Sequence, residues 1–351
     1  MHKDITEILQ YAIMAPSGDN SQPWRFRIRE DAVEVFNIPD KDNPYLNYRQ
    51  SGSYVAHGAL IENMCIAALN FGYESDVRLF PKSDIGDCVA SISFREASPK
   101  DGLFEYISVR HTNRKPYQER PLTQDESVYL ESSTADLSFG EVLFIEDKRR
   151  KEAAARGGSV AEVVILENRM LHEYLFKDIV WSIKDERRLK SGLYIATMEF
   201  NTLQTFLFKS ARYWPIMKLG MAVRFPYFIA HEDAKLYSTG AAMGLITIPD
   251  ASRESYIRAG RLMQRVWLKA SKLHLAFQPI TATLFFAQRI LANDAEELTM
   301  RHRDLLTRSY RDICDAFGVS DKIPAVMFRV GHAEPASARC SRIGPDAKLI
   351  P

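Results

Sequence analysis

The 351-residue chain has no excess of either charge, with 46 Lys+Arg against 45 Asp+Glu, so neither a polybasic nucleic-acid binder nor a disordered acidic chain is supported. It is poor in cysteine. Cys65, Cys88, Cys314 and Cys340 are widely dispersed and form no CxxC pair, which argues against a zinc ribbon and against a disulfide scaffold. A reducing, cytoplasmic compartment is the expectation. The eight histidines form no HExxH and no carboxylate cluster has metal-ligand spacing, so no metal is expected. Gly-x-Gly-x-x-Gly, Gly-x-x-x-x-Gly-Lys-Ser/Thr and Gly-x-Ser-x-Gly are all missing, which disfavours a Rossmann dinucleotide site, a P-loop and a serine hydrolase. The longest apolar neighbourhood, Phe206 to Ile229, is broken by Lys209, Arg212, Lys218 and Arg224 and cannot span a bilayer. A membrane partner is not expected, although surface contact through this stretch stays open. Met1 to Asp4 lead directly into a helix pattern, so no secretory signal is expected.

What is present describes a globule with a large core: 46% hydrophobic and 26% charged residues, at a length that suits two fused half-domains or one large unit. Asp4 with Glu7 predicts a capping box for a helix carrying Ile5, Ile8, Leu9, Ala12 and Ile13 on one face and stopping near Pro16. Trp24, Phe26 and Ile28 alternate with arginines as a half-buried strand, and a turn at Glu30-Asp31 returns the chain through Val33 and Val35 as its hairpin partner. A second helix is predicted from Tyr54 to Phe71, closed by Gly72. Strands are expected at Cys88 to Phe94, Glu141 to Ile145, Lys235 to Tyr237, Met243 to Ile248 and Ala325 to Val330, with a long helix from Ser255 to about Leu273. The aromatic-rich segment 160–230 reads as helices that pack over something else.

His57-Gly58-Ala59-Leu60 can be laid over Ala259-Gly260-Arg261-Leu262, each placing Gly-x-Leu at the start of a predicted helix. Chance produces such echoes in helices easily; duplication is the other reading.

Two motifs carry chemistry. Ala15-Pro16-Ser17-Gly18-Asp19-Asn20-Ser21-Gln22-Pro23-Trp24 puts short polar side chains and a glycine between two prolines, a loop able either to wrap a polar ligand or simply to turn. Arg110-His111-Thr112-Asn113-Arg114 places two guanidinium groups four residues apart. On a helix they would repel mildly, and an anion such as a phosphate would reverse that cost. Arg339 and Arg342, in the tail, read either as further phosphate ligands or as surface residues.

The stretch from Ala15 to Phe26 resembles the APSxxNxQPWxF motif of the nitroreductase-like flavoproteins, and Arg110, Thr112 and Arg114 resemble that family's flavin-phosphate motif. Here the Arg motif follows the APS motif, an order that resembles the tandem subgroup with two halves in one chain. The implied fold class is α+β: a nitroreductase-like fold of two related halves, with mixed, mostly antiparallel sheets flanked by long helices. Residues 1–100 would form a first, incomplete half and residues 101–351 a second, with segment 160–230 as a lid-like insertion.

The resemblance implies FMN as cofactor, one per chain. Arg110, Thr112 and Arg114 would grip its phosphate and ribityl chain, and Pro16, Ser17 and Asn20 would lie along it. Gln278, Pro279 and Ile280 would approach it through backbone amides, and Arg339, with Arg342, would complete the phosphate cage. It implies hydride transfer from NADH or NADPH to the flavin, then reduction of a small nitro, quinone or enone acceptor, without a required catalytic side chain. The alternative is a closed FMN-storage protein. Tandem halves permit a monomer and do not forbid a homodimer.

Overall fold

The computed structural model describes residues 2–350 apart from 31, 85 and 99. The first helix, α1 (His2–Ala12), starts earlier than the capping-box reading requires. Asp4 therefore lies inside its first turn and accepts a hydrogen bond from the Tyr73 hydroxyl at 2.8 Å instead of capping. The expected hairpin forms from β1 (Trp24–Ile28) and β2 (Ala32–Asn37), paired antiparallel with Phe26 opposite Val35. Asp31, in its expected turn, lies outside the described residues.

The long helix α2 (Ser51–Asn70) ends where Gly72 adopts a φ of +87°, a conformation that favours glycine. Strands β3 (Tyr73–Leu79) and β4 (Cys88–Glu96) complete an antiparallel sheet in the order β1-β2-β4-β3. The sequence reading missed β3 because Glu74, Asp76 and Arg78 occupy its solvent side, and the strand lies at the sheet edge.

After α3 (Gln124–Glu131) and α4 (Ser133–Leu137) the chain enters β5 (Glu141–Ile145) and α5 (Lys148–Glu167). The excursion then runs through α6 (Arg169–Lys177), β6 (Ile179–Val180), α7 (Ile183–Leu189) and β7 (Leu193–Tyr194), where β6 and β7 form a short parallel ribbon. It closes with α8 (Thr202–Ala211), α9 (Trp214–Ala222) and α10 (Phe225–Ser238). The strand expected at Lys235 to Tyr237 is the last turn of α10. Three residues of alternation could not outweigh the inward pair Ala230 and Ala234, which sits at helical spacing.

The second sheet, in the order β5-β8-β10-β9, uses β8 (Ala242–Ile248), β9 (Ala276–Ile280) and β10 (Ile323–Gly331), all antiparallel. Between these strands lie α11 (Arg253–Lys272), α12 (Ala282–Leu291) and α13 (Met300–Phe317).

Helices α2 and α11 pack against one another between the sheets and share one core, to which α2 gives Leu60 and Met64 and α11 gives Leu262 and Val266. Their backbones touch at the glycines that the sequence echo superposes. A Cβ on Gly58 would come within 2.0 Å of the Ile257 carbonyl, and one on Gly260 within 2.0 Å of the Val55 carbonyl. Glu62, fully buried, locks the pair by accepting from Arg261 at 2.9 Å and Arg265 at 2.6 Å.

Candidate anion-binding cleft

The loop between α1 and β1 is held in an unusual conformation. Asp19, Asn20 and Gln22 all have positive φ, at 44°, 56° and 52°. Non-glycine residues hold such a conformation only when their surroundings over-determine it. The Ser17 Oγ accepts from the Gln22 amide at 3.0 Å, closing the loop on itself. Buried Gln22 then ties three segments together: its side-chain amide donates to the Lys190 carbonyl at 2.7 Å, and its Oε1 accepts from the Ile343 amide at 2.9 Å.

The C-terminal tail reaches this loop because it joins the first sheet. Leu349 bridges Phe26 in parallel, the Ile350 amide donates to the Phe26 carbonyl at 2.8 Å, and Lys348 Nζ donates to the Gln22 carbonyl at 3.0 Å. Residues 338–342 are thereby laid beside Pro16.

These segments enclose a cleft with about 770 Å³ of space, part of it open to solvent. Pro16, Ser17 and Asn20 line one side, and Arg110, Thr112 and Arg114 line another. Arg339 and Arg342 come in from the tail, so eight of the eleven residues proposed from sequence meet in one place. The segment 110–114 is irregular rather than helical, so the expected shared helix face does not exist. Both arginines reach the cleft from this irregular segment.

Gln278, Pro279 and Ile280 do not line the cleft. They belong to β9, paired on one side with β10, while Asn113 donates to the Phe277 carbonyl at 3.1 Å across the other edge. The Gln278 side chain accepts from Arg329 Nε at 2.9 Å.

Sequence reasoning also missed Asp19, Leu193, Thr197 and Cys340, which line the cleft. Asp19 was legible within the loop motif. Leu193 and Thr197 carried no local signal, since only packing of the excursion brings them in.

Arg110 is 6% exposed and stacks over the Trp267 ring at 4.3 Å. One of its terminal nitrogens donates to the Met14 carbonyl at 2.7 Å, while its buried Nε has no partner. Arg342 donates to the carbonyls of Ala15, Cys340 and Ser341, and Arg114 to that of Thr197. Among the described residues none of the three has a carboxylate ion-pair partner. Burial lowers the Arg110 pKa well below the ordinary guanidinium value, and the positive charges of Arg342 and Arg339 add to it. Burial likewise lowers Arg342. Guanidinium groups with no carboxylate ion-pair partner beside a cleft suit an anion with several oxygens, with the charge of Glu186 partly offsetting that of Arg342. Farther along the same cleft, burial raises the Asp19 carboxyl and nearby Arg114 partly opposes it, so the charge there is mixed.

Residues 186–199 cover the cleft. Besides the Gln22 bond to Lys190, the Ser191 Oγ donates to the Asn20 carbonyl at 3.2 Å and Arg114 to the Thr197 carbonyl at 3.1 Å. The Ser341 amide donates to Glu186 at 2.5 Å. The cover is thus one part of the 160–230 excursion, the ribbon and its flanks, while the aromatic helices of the same segment pack on α5 and α6. Asn20 spends its side-chain amide on Ser341 at 3.1 Å and Lys190 at 3.4 Å, so it fastens tail and cover to the loop.

No protein-family model matches the chain. It is 23% identical over 343 residues to "Uncharacterized protein MT1398" of Mycobacterium tuberculosis, covering 95% of this chain and 46% of that protein. The chain thus spans about half the length of that relative. To "Putative NAD(P)H nitroreductase acg" of M. tuberculosis it is 28% identical over 290 residues, covering 79% of this chain and 80% of the relative. Among solved structures, the FMN and NADPH-dependent nitroreductase NfnB from sphigopyxis sp. strain HMH aligns at 13% identity with a TM-score of 0.41, over 70% of this chain and 97% of that one.

Proposed function

We propose that this chain, a relative of the nitroreductase-like flavoproteins, binds FMN in the cleft and passes reducing equivalents from NADH or NADPH to a small electrophile of nitro, quinone or enone type. The observation that carries the proposal is Arg110: a buried guanidinium with an unpartnered Nε, beside two further arginines and no pairing carboxylate. A phosphate fits that donor set. It would accept charge-assisted bonds from Arg110 and Arg342, with Arg339 at the exposed mouth and the Thr112 hydroxyl alongside. Pro16 and Ser17 would supply the opposing wall, and Arg114 would serve the polar chain that follows the phosphate. When bound, the flavin supplies the hydride chemistry, which the protein's side chains cannot perform themselves.

The same reading divides the chain into two related halves, residues 1–100 and 101–351, that meet along α2 and α11. The Gly58–Gly260 crossing supports it, and so does the placement of loop and arginines on opposite sides of one cleft.

A second reading, an FMN-storage protein with little turnover, is favoured by one observation: the cover over the cleft is hydrogen-bonded to both the loop and the tail. One experiment separates the two. Purified protein should carry flavin absorbance that is lost in Arg110→Ala, and anaerobic NADH or NADPH should bleach it. Flavin that stays oxidised under both nucleotides supports storage. Full flavin occupancy in Arg110→Ala refutes the site.

A further inference from the structure

The surface of the excursion breaks the usual rule for solvated helices. On α8, Leu203 is 66% exposed and Phe206 65%; on α9 and its C-cap, Leu219 is 72% and Val223 75%; on α10, Phe228 is 57%. Leu203 with Phe206 and Leu207, and Ile216 with Leu219 and Val223, recur at helical spacing on the outward side. The inward side is separately filled by Ala211, Met217, Met221 and Phe225. These helices are therefore apolar on both faces, and α9 packs against both α8 and α10. An apolar surface of this kind on consecutive, adjoining helices marks an interaction site.

Charge identifies the partner. Over the three helices the chain carries Lys209, Arg212, Lys218 and Arg224, all exposed, and, at the far end of α10, Glu232 paired with Lys235 at 2.7 Å and the half-buried Asp233, so the net charge of the face is positive. A second copy meeting this face by two-fold symmetry would set positive charge against positive charge. An anionic lipid surface accepts both components: apolar side chains enter the acyl boundary and the cations meet the headgroups. Among the described residues no helix is long and apolar enough to cross a membrane, so attachment would be to one leaflet.

We propose that α8, α9 and α10 form a docking surface for an anionic phospholipid bilayer, lying in the plane of the interface. The cover over the cleft runs directly into α8, so the docked molecule would hold its covered cleft close to the membrane. The inference stands on the surface alone and survives any outcome of the flavin experiment.

The test is flotation of the full chain with phosphatidylcholine vesicles and with vesicles containing about one-third phosphatidylserine. The chain should float with the anionic vesicles only, and less so as salt rises. Leu219→Ser/Val223→Ser, at exposed positions remote from the cleft, should abolish flotation without changing the melting temperature. Lys209→Gln/Lys218→Gln should lower partitioning about 25-fold, roughly fivefold for each lysine. Absence of flotation overturns the proposal, as does equal binding to both vesicles. A dimer in sedimentation that Leu219→Ser/Val223→Ser dissociates, with no vesicle binding, would assign the face to a second copy.

Discussion

Replacing Arg110 by methionine should move the free protein and the flavin complex in opposite directions. In the free protein the guanidinium has one hydrogen bond, to the Met14 carbonyl, and a stacking contact on Trp267. Losing a hydrogen bond to a charged group costs about 1.5–3 kcal/mol, and the flexible methionine keeps much of the aromatic contact. Against that stands the removal of a buried, uncompensated cation repelled by Arg342 and Arg339, a relief of several kcal/mol at the order-of-magnitude level. The free protein should therefore be unchanged or more stable by up to about 2 kcal/mol. The complex loses charge-assisted phosphate bonds of about 3 kcal/mol, which raises the FMN Kd about 150-fold. Denaturant melts of the flavin-free protein and fluorescence titration with FMN read the two quantities separately. If the variant is destabilised by about 3 kcal/mol or more while its FMN Kd stays within about threefold of wild type, Arg110 is a structural strut and the anion argument fails.

Gly58→Ala should destabilise by at least about 3 kcal/mol in a urea melt, because its Cβ meets the backbone of α11 and not a movable side chain. A gain of the size expected from helix propensity would refute the close crossing. Asp42 lies under the loop, where burial pushes its carboxyl up to about 7 against bonds from the Asn43 amide and Ser53 hydroxyl. A carboxyl raised in the folded state contributes its stability in full below its unfolded value and loses it as pH rises through about 7. Asp42→Asn should then remove a fall in stability between pH 5 and pH 8 of at most about 3 kcal/mol, less the part screened by residual water contact; parallel pH profiles of variant and wild type would disprove it. Gln22→Ala cuts the bonds to Lys190 and Ile343, so amide exchange should speed up across 186–199 while α2 stays protected. Unchanged exchange there would mean that the cover does not depend on the loop.

Much of the site was local enough to read from the chain. The two prolines and the polar run between them define a loop at 16–23 whatever surrounds it, and Arg110, Thr112 and Arg114 are a motif within five residues. Alternation at Trp24 to Ile28 and helical spacing at Ile5 to Ile13 fixed elements for the same reason: the pattern and the structure have one period. Gly58 and Gly260 were aligned by sequence, but their contact depends on two helices distant in the chain arriving at the same place.

Tertiary structure decided the rest. Arg339 and Arg342 were ambiguous until Leu349 paired with β1 and carried the tail to the loop, and Leu193 and Thr197 entered the cleft only because the β6–β7 ribbon folds over it. Gln278 sits close to the motif in space yet points into a hydrogen bond with Arg329, a distinction made by strand pairing and by no feature of its own neighbourhood. The apolar residues from Leu203 to Phe228 look in sequence like core. Only the packing of Met217 and Ala211 against α5 and α6 shows which of them are left for another surface. Local pattern sets what each segment can become; which buried charges go uncompensated and which apolar faces go uncovered is settled where distant segments meet.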